Sequence, residues 1–207
     1  PTQAIIDDLV RWRFKNVTYW SRGVDHQIFY PRVEQTAMPR KEHPVYVYVG
    51  RLAVEKNIEA FLKLDLPGEK WVAGEGPMEA DLKKRYPEVR WIGVLAQPAL
   101  AEVYSQADVF VFPSLTDTFG LVMVEAMACG LPVAAYPVAG PIDVVGESDA
   151  GVLDHDLQQA CLQCLDIPRA RALARAAGFT WAIASEQFAN ALVPLVRPSG
   201  VLLETPA

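Results

Sequence analysis

From Val45 onward, short β-branched or aromatic runs alternate with amphipathic stretches. That alternation is the pattern of strands joined by helical crossovers into a parallel sheet, and it predicts a doubly wound α/β fold with helices on both faces. The strand candidates are VYVYV (Val45 to Val49), KWVAG (Lys70 to Gly74), RWIG (Arg90 to Gly93), VFVFP (Val109 to Pro113) and PVAAY (Pro132 to Tyr136). GVL at Gly151 to Leu153 is a weaker sixth. VFVFP is apolar at nearly every position, so both of its faces are expected to be covered and the strand to lie mid-sheet. Helices are expected near Asn57 to Leu64, Met78 to Tyr86, Pro98 to Gln106, Leu121 to Cys129, Ile142 to Val145, Leu157 to Leu165, Arg169 to Ala177 and Trp181 to Val193. Pro98 suits a first helical turn, and Gly130 with Leu131-Pro132 supplies a stop.

The first 31 residues read differently. IIDDLVRWRF predicts a short helix, VTYWS a short strand, and Arg22-Gly23-Val24-Asp25 a turn leading to Phe29. This opening has too little apolar mass for a domain of its own, and it is expected to be a linker remnant (1–31) of a chain cut from something longer. The main domain is placed at 32–196. The tail at 197–207 carries two prolines and a glycine without period, and is expected to be disordered.

Composition narrows the partners. At 207 residues and 51% hydrophobic, the chain can bury the core of one good-sized domain. A net charge of -6 argues against a basic nucleic-acid footprint. No stretch approaches the roughly 20 apolar residues of a membrane span, and there is no signal-peptide layout at the start. Three cysteines in no framework spacing fit a reducing, cytoplasmic setting. Cys161 and Cys164 hold a C-x-x-C spacing without a second ligand pair, which favours packing over zinc, and no metal or other cofactor is expected.

The chemistry gathers at strand ends. Ser114 to Tyr136 follows the VFVFP strand with a carboxylate (Asp117), Thr118, Phe119, a glycine (Gly120), a helix start and a second carboxylate (Glu125). In open α/β sheets ligands bind beyond the carboxyl ends of the strands. The backbone N–H groups of Gly120, Leu121 and Val122 suit a phosphate there, aided by the helix dipole. Glu125 can accept two hydroxyl hydrogen bonds, as a ribose diol requires, and Asp117 can do the same for sugar hydroxyls. The same residues also admit plainer roles, Asp117 or Thr118 as a helix cap and Glu125 as a solvated helix residue. After the first strand, Gly50 and Arg51 precede Lys56, so two cationic heads can converge on a diphosphate or serve as solvent-facing cap charges. Gly74-Glu75-Gly76-Pro77 reads equally as a nucleotide-binding glycine loop or a tight βα connection. Val94 and Leu95 follow the third strand, where a base can rest.

In order along the chain, Arg22-Gly23-Val24-Asp25, GRLAVEKN, GEGP, ADVFVFPS, DTFGLVMVEAMACGLPV and FTWAIASEQF together resemble the C-terminal domain of family 4 glycosyltransferases. That resemblance implies half of a GT-B fold, in which two Rossmann-like domains face each other. It implies that Arg51 and Lys56 hold the donor diphosphate with help from the amides at Gly120, Leu121 and Val122, that Glu125 binds the ribose, and that Val94 and Leu95 receive the base. The candidate catalytic residues are Arg51, Lys56 and Asp117. The family carries two glutamates separated by seven residues; here Asp117 stands in the first place and Glu125 in the second. The implied donor is a GDP- or UDP-linked hexose, mannosyl or glucosyl, transferred with retention and without metal. The acceptor, a glycan or lipid, would be bound by an N-terminal domain outside this chain, with contact at the inner face of a membrane open to the full protein, and these 207 residues alone would not turn over. The alternatives are a nucleotide-binding module without a reaction and a sugar-nucleotide epimerase of the same fold. An NAD-binding domain is disfavoured, since no G-x-G-x-x-G follows the first strand.

Overall fold

The computed structural model describes residues 2–32 and 43–192. Six parallel strands, β1 (Val45–Val49), β2 (Glu69–Ala73), β3 (Arg90–Gly93), β4 (Val109–Phe112), β5 (Val133–Ala135) and β6 (Gly151–Leu153), form one sheet in the order β3-β2-β1-β4-β5-β6. All six predicted strands are present, and β4 lies between β1 and β5 as its apolar character requires. Every residue of β1, β4 and β5 is buried, while the outer β3 and β6 are only half covered.

Alternation along the strands divides the core in two. Val45, Val47, Val49, Phe110, Phe112, Val133 and Ala135 face one layer, which includes Tyr104, Met123, Met127 and Phe179. Tyr46, Tyr48, Val109, Val111 and Ala134 face the other, with Phe61, Leu82, Leu157 and both Cys161 and Cys164. Helices therefore clothe both faces: α4 (Gln97–Gln106), α5 (Leu121–Ala128) and α8 (Arg169–Ala176) on one side, α2 (Ile58–Leu62), α3 (Glu79–Arg85) and α7 (Leu157–Cys164) on the other. Burial pushes the Cys161 and Cys164 thiols well above their ordinary value, as suits packing residues. Asp156 starts α7 by accepting from the N–H groups of Gln158 and Gln159 at 3.0 and 3.2 Å. The helix α6 (Ala139–Val144) begins three residues earlier than its apolar pattern indicates. Among the described residues, no helix is long and apolar enough to cross a membrane.

The opening segment carries one correction. α1 (Gln3–Arg11) is present, with Thr2 capping it, but VTYWS is not a strand. It runs alongside α9 (Trp181–Ala191) and satisfies its backbone there: the Ser21 N–H donates to Gln187 Oε1 at 2.8 Å and the Val24 N–H to the Phe179 carbonyl at 3.0 Å. Trp181 and Phe188 on that helix are about half exposed. The expected tail at 197–207 lies outside the described residues.

Candidate functional site

The strand order reverses direction between β1 and β4, and that switch point is where a doubly wound sheet opens a crevice. A cavity of about 380 Å³ occupies it. Gly50, Arg51 and Lys56 line one wall; Asp117, Thr118, Phe119, Gly120, Leu121 and Val122 line the other. Nine of the residues singled out in the sequence thus meet in one space. Gly74 and Gly76 line an adjoining hollow that shares Gly50 and Arg51. Val94, Leu95 and Glu125 are outside the lining of both.

The first wall is set by backbone contacts. Gly50 ends β1, and the chain then makes a single 3-10 turn (Val54–Lys56) before Asn57 takes a left-handed conformation (φ 51°) and starts α2. Asn57 Nδ2 donates to the Pro113 carbonyl at 3.0 Å, tying this loop to the end of β4. The Leu52 N–H donates to the Glu75 carbonyl at 2.8 Å, and the Met78 N–H to the Leu52 carbonyl at 3.0 Å. A Cβ on Gly76 would fall 2.4 Å from the Leu52 oxygen, so this glycine is explained first by the close approach of two loops.

The second wall delivers a helix mouth. Gly120 is the N-cap of α5 at φ 78° and ψ 66°, a conformation that favours glycine, and among the described residues no side chain caps the helix. The capping role open to Asp117 and Thr118 is therefore not the one they play. The N–H groups of Gly120, Leu121 and Val122 have no acceptor among the described residues. In the lining of the same cavity, Ser114 is buried and its Oγ has no hydrogen-bond partner among the described residues. Phe119 is buried against Phe179, with ring centroids 5.9 Å apart.

The charges are arranged differently from the sequence expectation. Lys56 Nζ is held between both carboxylate oxygens of Asp117, at 2.7 and 2.8 Å. Arg51 is 66% exposed and pairs with Glu55 at 3.6 Å. Glu125, inside α5, accepts from the Tyr104 hydroxyl at 3.3 Å. Burial raises the Glu125 carboxyl above its ordinary value, and the Tyr104 hydrogen bond offsets only part of that. Burial also raises the Tyr48 hydroxyl, which donates to the Arg51 carbonyl at 2.8 Å and braces the wall from below.

Arg22, Tyr48 and Ser114 also line the cavity, and the sequence patterns that contain them assigned none of the three to the site. Tyr48 was legible only as a strand residue, and Ser114 as the residue after Pro113. Arg22 comes from the opening segment, more than twenty residues before β1.

The profile described as "Glycosyl transferases group 1" matches residues 43–166. The sulfoquinovosyl transferase SQD2 of Arabidopsis thaliana is 36% identical over 166 residues, covering 73% of this chain and 32% of that protein. A GDP-mannose-dependent alpha-mannosyltransferase of Corynebacterium glutamicum is 31% identical over 160 residues, covering 74% of this chain and 39% of its own length. The chain therefore matches only about a third of the length of these relatives. Among solved structures, a sucrose-phosphate synthase from Thermosynechococcus elongatus superposes with a TM-score of 0.74 at 25% identity, over 91% of this chain and 56% of that one. Anabaena HepE in complex with UDP and glucose shares the fold, with a TM-score of 0.73 at 20% identity over 91% of this chain and 60% of its own. The matched profile contains both walls of the cleft, and the chain belongs to the group 1 glycosyltransferases, with the Rossmann-like fold of their GT-B architecture.

Proposed function

We propose that the cleft between β1 and β4 binds the diphosphate and sugar of a nucleotide-linked hexose, GDP- or UDP-activated, and that the chain is the donor-binding part of a retaining, metal-independent hexosyltransferase. The observation that carries this reading is the set of N–H groups at Gly120, Leu121 and Val122 that have no acceptor among the described residues, in one cavity with Arg51 and Lys56. Amides and cations fixed before the substrate arrives stabilise charge that grows on a leaving diphosphate without reorganising, which is electrostatic preorganisation. Arg51 offers a planar fork and Lys56 a point charge. Asp117 holds Lys56 in place and accepts hydroxyls of the sugar once phosphate takes over the ammonium. Glu125 binds the ribose, and Val94 and Leu95 lie beneath the base. Two relatives named for GDP-mannose-dependent and sulfoquinovosyl transfer, and a fold neighbour solved with UDP and glucose, support a nucleotide sugar as the donor. In this reading residues 1–31 link to a second domain, residues 32–196 form the donor domain, and a glycan or lipid acceptor is bound elsewhere in a longer protein.

The test is calorimetric titration of the 207-residue chain with UDP, GDP and the corresponding nucleosides. Arg51→Ala and Lys56→Ala are each expected to weaken nucleoside diphosphate binding about tenfold, since hydrogen bonds to charged groups contribute more than neutral ones. Nucleoside binding should change little. Equal weakening of both ligand classes would remove the phosphate role.

A further inference from the structure

We propose that Arg22 is a third cation of this donor site and contacts the diphosphate of the bound nucleotide beside Arg51 and Lys56, an inference that rests on the reading of the cleft given above.

The neighbours of Arg22 all have structural work that leads away from the cleft. Trp20 Nε1 donates to the Ala184 carbonyl at 2.9 Å, and its ring lies 5.3 Å from that of Phe188. The Ser21 N–H donates to Gln187. A Cβ on Gly23 would fall 2.3 Å from the Trp181 nitrogen, so residues 20–24 form a strap that lies directly on the start of α9. Val24 bridges Thr180 as a parallel pair and is buried. The Asp25 carbonyl accepts from the N–H groups of Ile28 and Phe29, a turn that drives Phe29 into the core beside Tyr104. Within Trp20–Val24, Arg22 is the residue that lines the cavity.

Its surroundings prepare it for an anion. The guanidinium lies 4.4 Å over the Trp20 ring, which fixes the side chain and covers one face of its charge without neutralising it. Among the described residues no carboxylate pairs with it, whereas Lys56 is held by two Asp117 oxygens and Arg51 by Glu55. The lining side chains of the cavity carry three positive groups and one negative, an excess suited to a diphosphate. A neutral hexose would not call for that excess. The open amides of the α5 mouth, facing the same space, select for negative charge as well.

The strap also ties ligand binding to the fold. Because residues 20–24 are clamped to Phe179–Gln187, the position of Arg22 in the cleft is set by the seam between the two ends of the described chain.

Titration of the 207-residue protein with UDP, GDP, uridine and guanosine decides the matter. Arg22→Met keeps the apolar stem against Trp20 and removes the charge. It is expected to weaken nucleoside diphosphate binding roughly tenfold while leaving nucleoside binding within about twofold. Arg22→Lys should recover part of the loss, since the charge returns without the fork. If Arg22 only props the strap, Arg22→Met would lower the melting temperature and weaken both ligand classes alike, as Trp20→Leu would, and the proposal falls. It also falls if Arg22→Met retains wild-type diphosphate affinity while Arg51→Ala loses it, and in that case the donor site itself stands. A wild-type protein with no preference for diphosphate over nucleoside would instead remove the donor reading, and this inference with it.

Discussion

The two walls of the cleft are held by different kinds of bond. The Gly50–Asn57 wall is anchored through its backbone: main-chain hydrogen bonds at Leu52 and Met78 join it to the next loop, glycine lets the two loops touch, and the Asn57 and Tyr48 side chains add bonds to main-chain carbonyls. The wall from Ser114 to Phe119 forms no main-chain hydrogen bond among the described residues. It is held by side chains instead, Phe119 against Phe179, and Lys56 reaching across to Asp117. Backbone ladders do not yield to a ligand, but an ion pair across a cleft can exchange partners with one. In the proposed reading, the first wall fixes the site and the second responds when a ligand fills it.

The largest effect should come from breaking the rigid wall. A methyl group added by Gly76→Ala would meet Leu52 backbone at 2.4 to 2.7 Å, and backbone cannot swing aside as a side chain does. We expect a loss of about 2–3 kcal/mol, seen as a fall in melting temperature of roughly 4–12 °C. A variant melting within experimental error of wild type would show that the two loops are not packed as described.

On the responsive wall the expected effect is smaller in stability and opposite in sign for binding. Asp117→Asn leaves a partly buried Lys56 ammonium without its counter-ion, at a cost of about 1 kcal/mol. The freed ammonium should then bind a nucleoside diphosphate several-fold more tightly, whereas a sugar-bearing donor gains less, because the carboxylate that would receive its hydroxyls is gone. Calorimetry on the same variant with UDP and UDP-glucose reads both. A loss of affinity for UDP itself would mean that Asp117 does more for the diphosphate than hold Lys56.

The sequence was most informative where burial is complete and least where partners are distant. The six strands could be read because parallel strands covered on both faces leave continuous apolar runs, and VFVFP even indicated its mid-sheet place. The helix mouth at Gly120 could be read because a glycine after a strand end and before an apolar helix is a local signal. VTYWS misled, since its aromatic and β-branched residues carry a strand's composition while its hydrogen-bond partners lie on α9, more than 150 residues away. The pairing of Lys56 with Asp117 crosses 61 positions, and no spacing rule along one chain contains it. Arg22 was named in the Arg22-Gly23-Val24-Asp25 motif but given no site role for the same reason: its neighbours in sequence form a turn, and its neighbours in space form the cleft. The glycines of GEGP were ambiguous in sequence because close packing of loops and close approach to a ligand require the same absence of a Cβ.

The smallest effect tests the helix behind the responsive wall. Burial raises the Glu125 carboxyl, so the folded protein keeps this proton to a higher pH than the unfolded chain does. Between the ordinary value of 4.5 and the raised one, the folded state binds more protons, and stability is lost as pH rises through that window. Glu125→Gln cannot ionise and keeps an oxygen to accept from Tyr104. Relative to wild type its melting temperature should be unchanged or lower near pH 4 and higher at pH 7. The same variant should bind nucleotides more weakly at pH 7, because an amide oxygen is a poorer acceptor for a ribose diol than a carboxylate. A more stable protein that binds less well is the signature of a buried charge kept for ligand contact. A melting-temperature difference that stays flat from pH 4 to pH 7 would show that Glu125 ionises in the fold as it does in water, and that the mouth of α5 is wetter than its packing indicates.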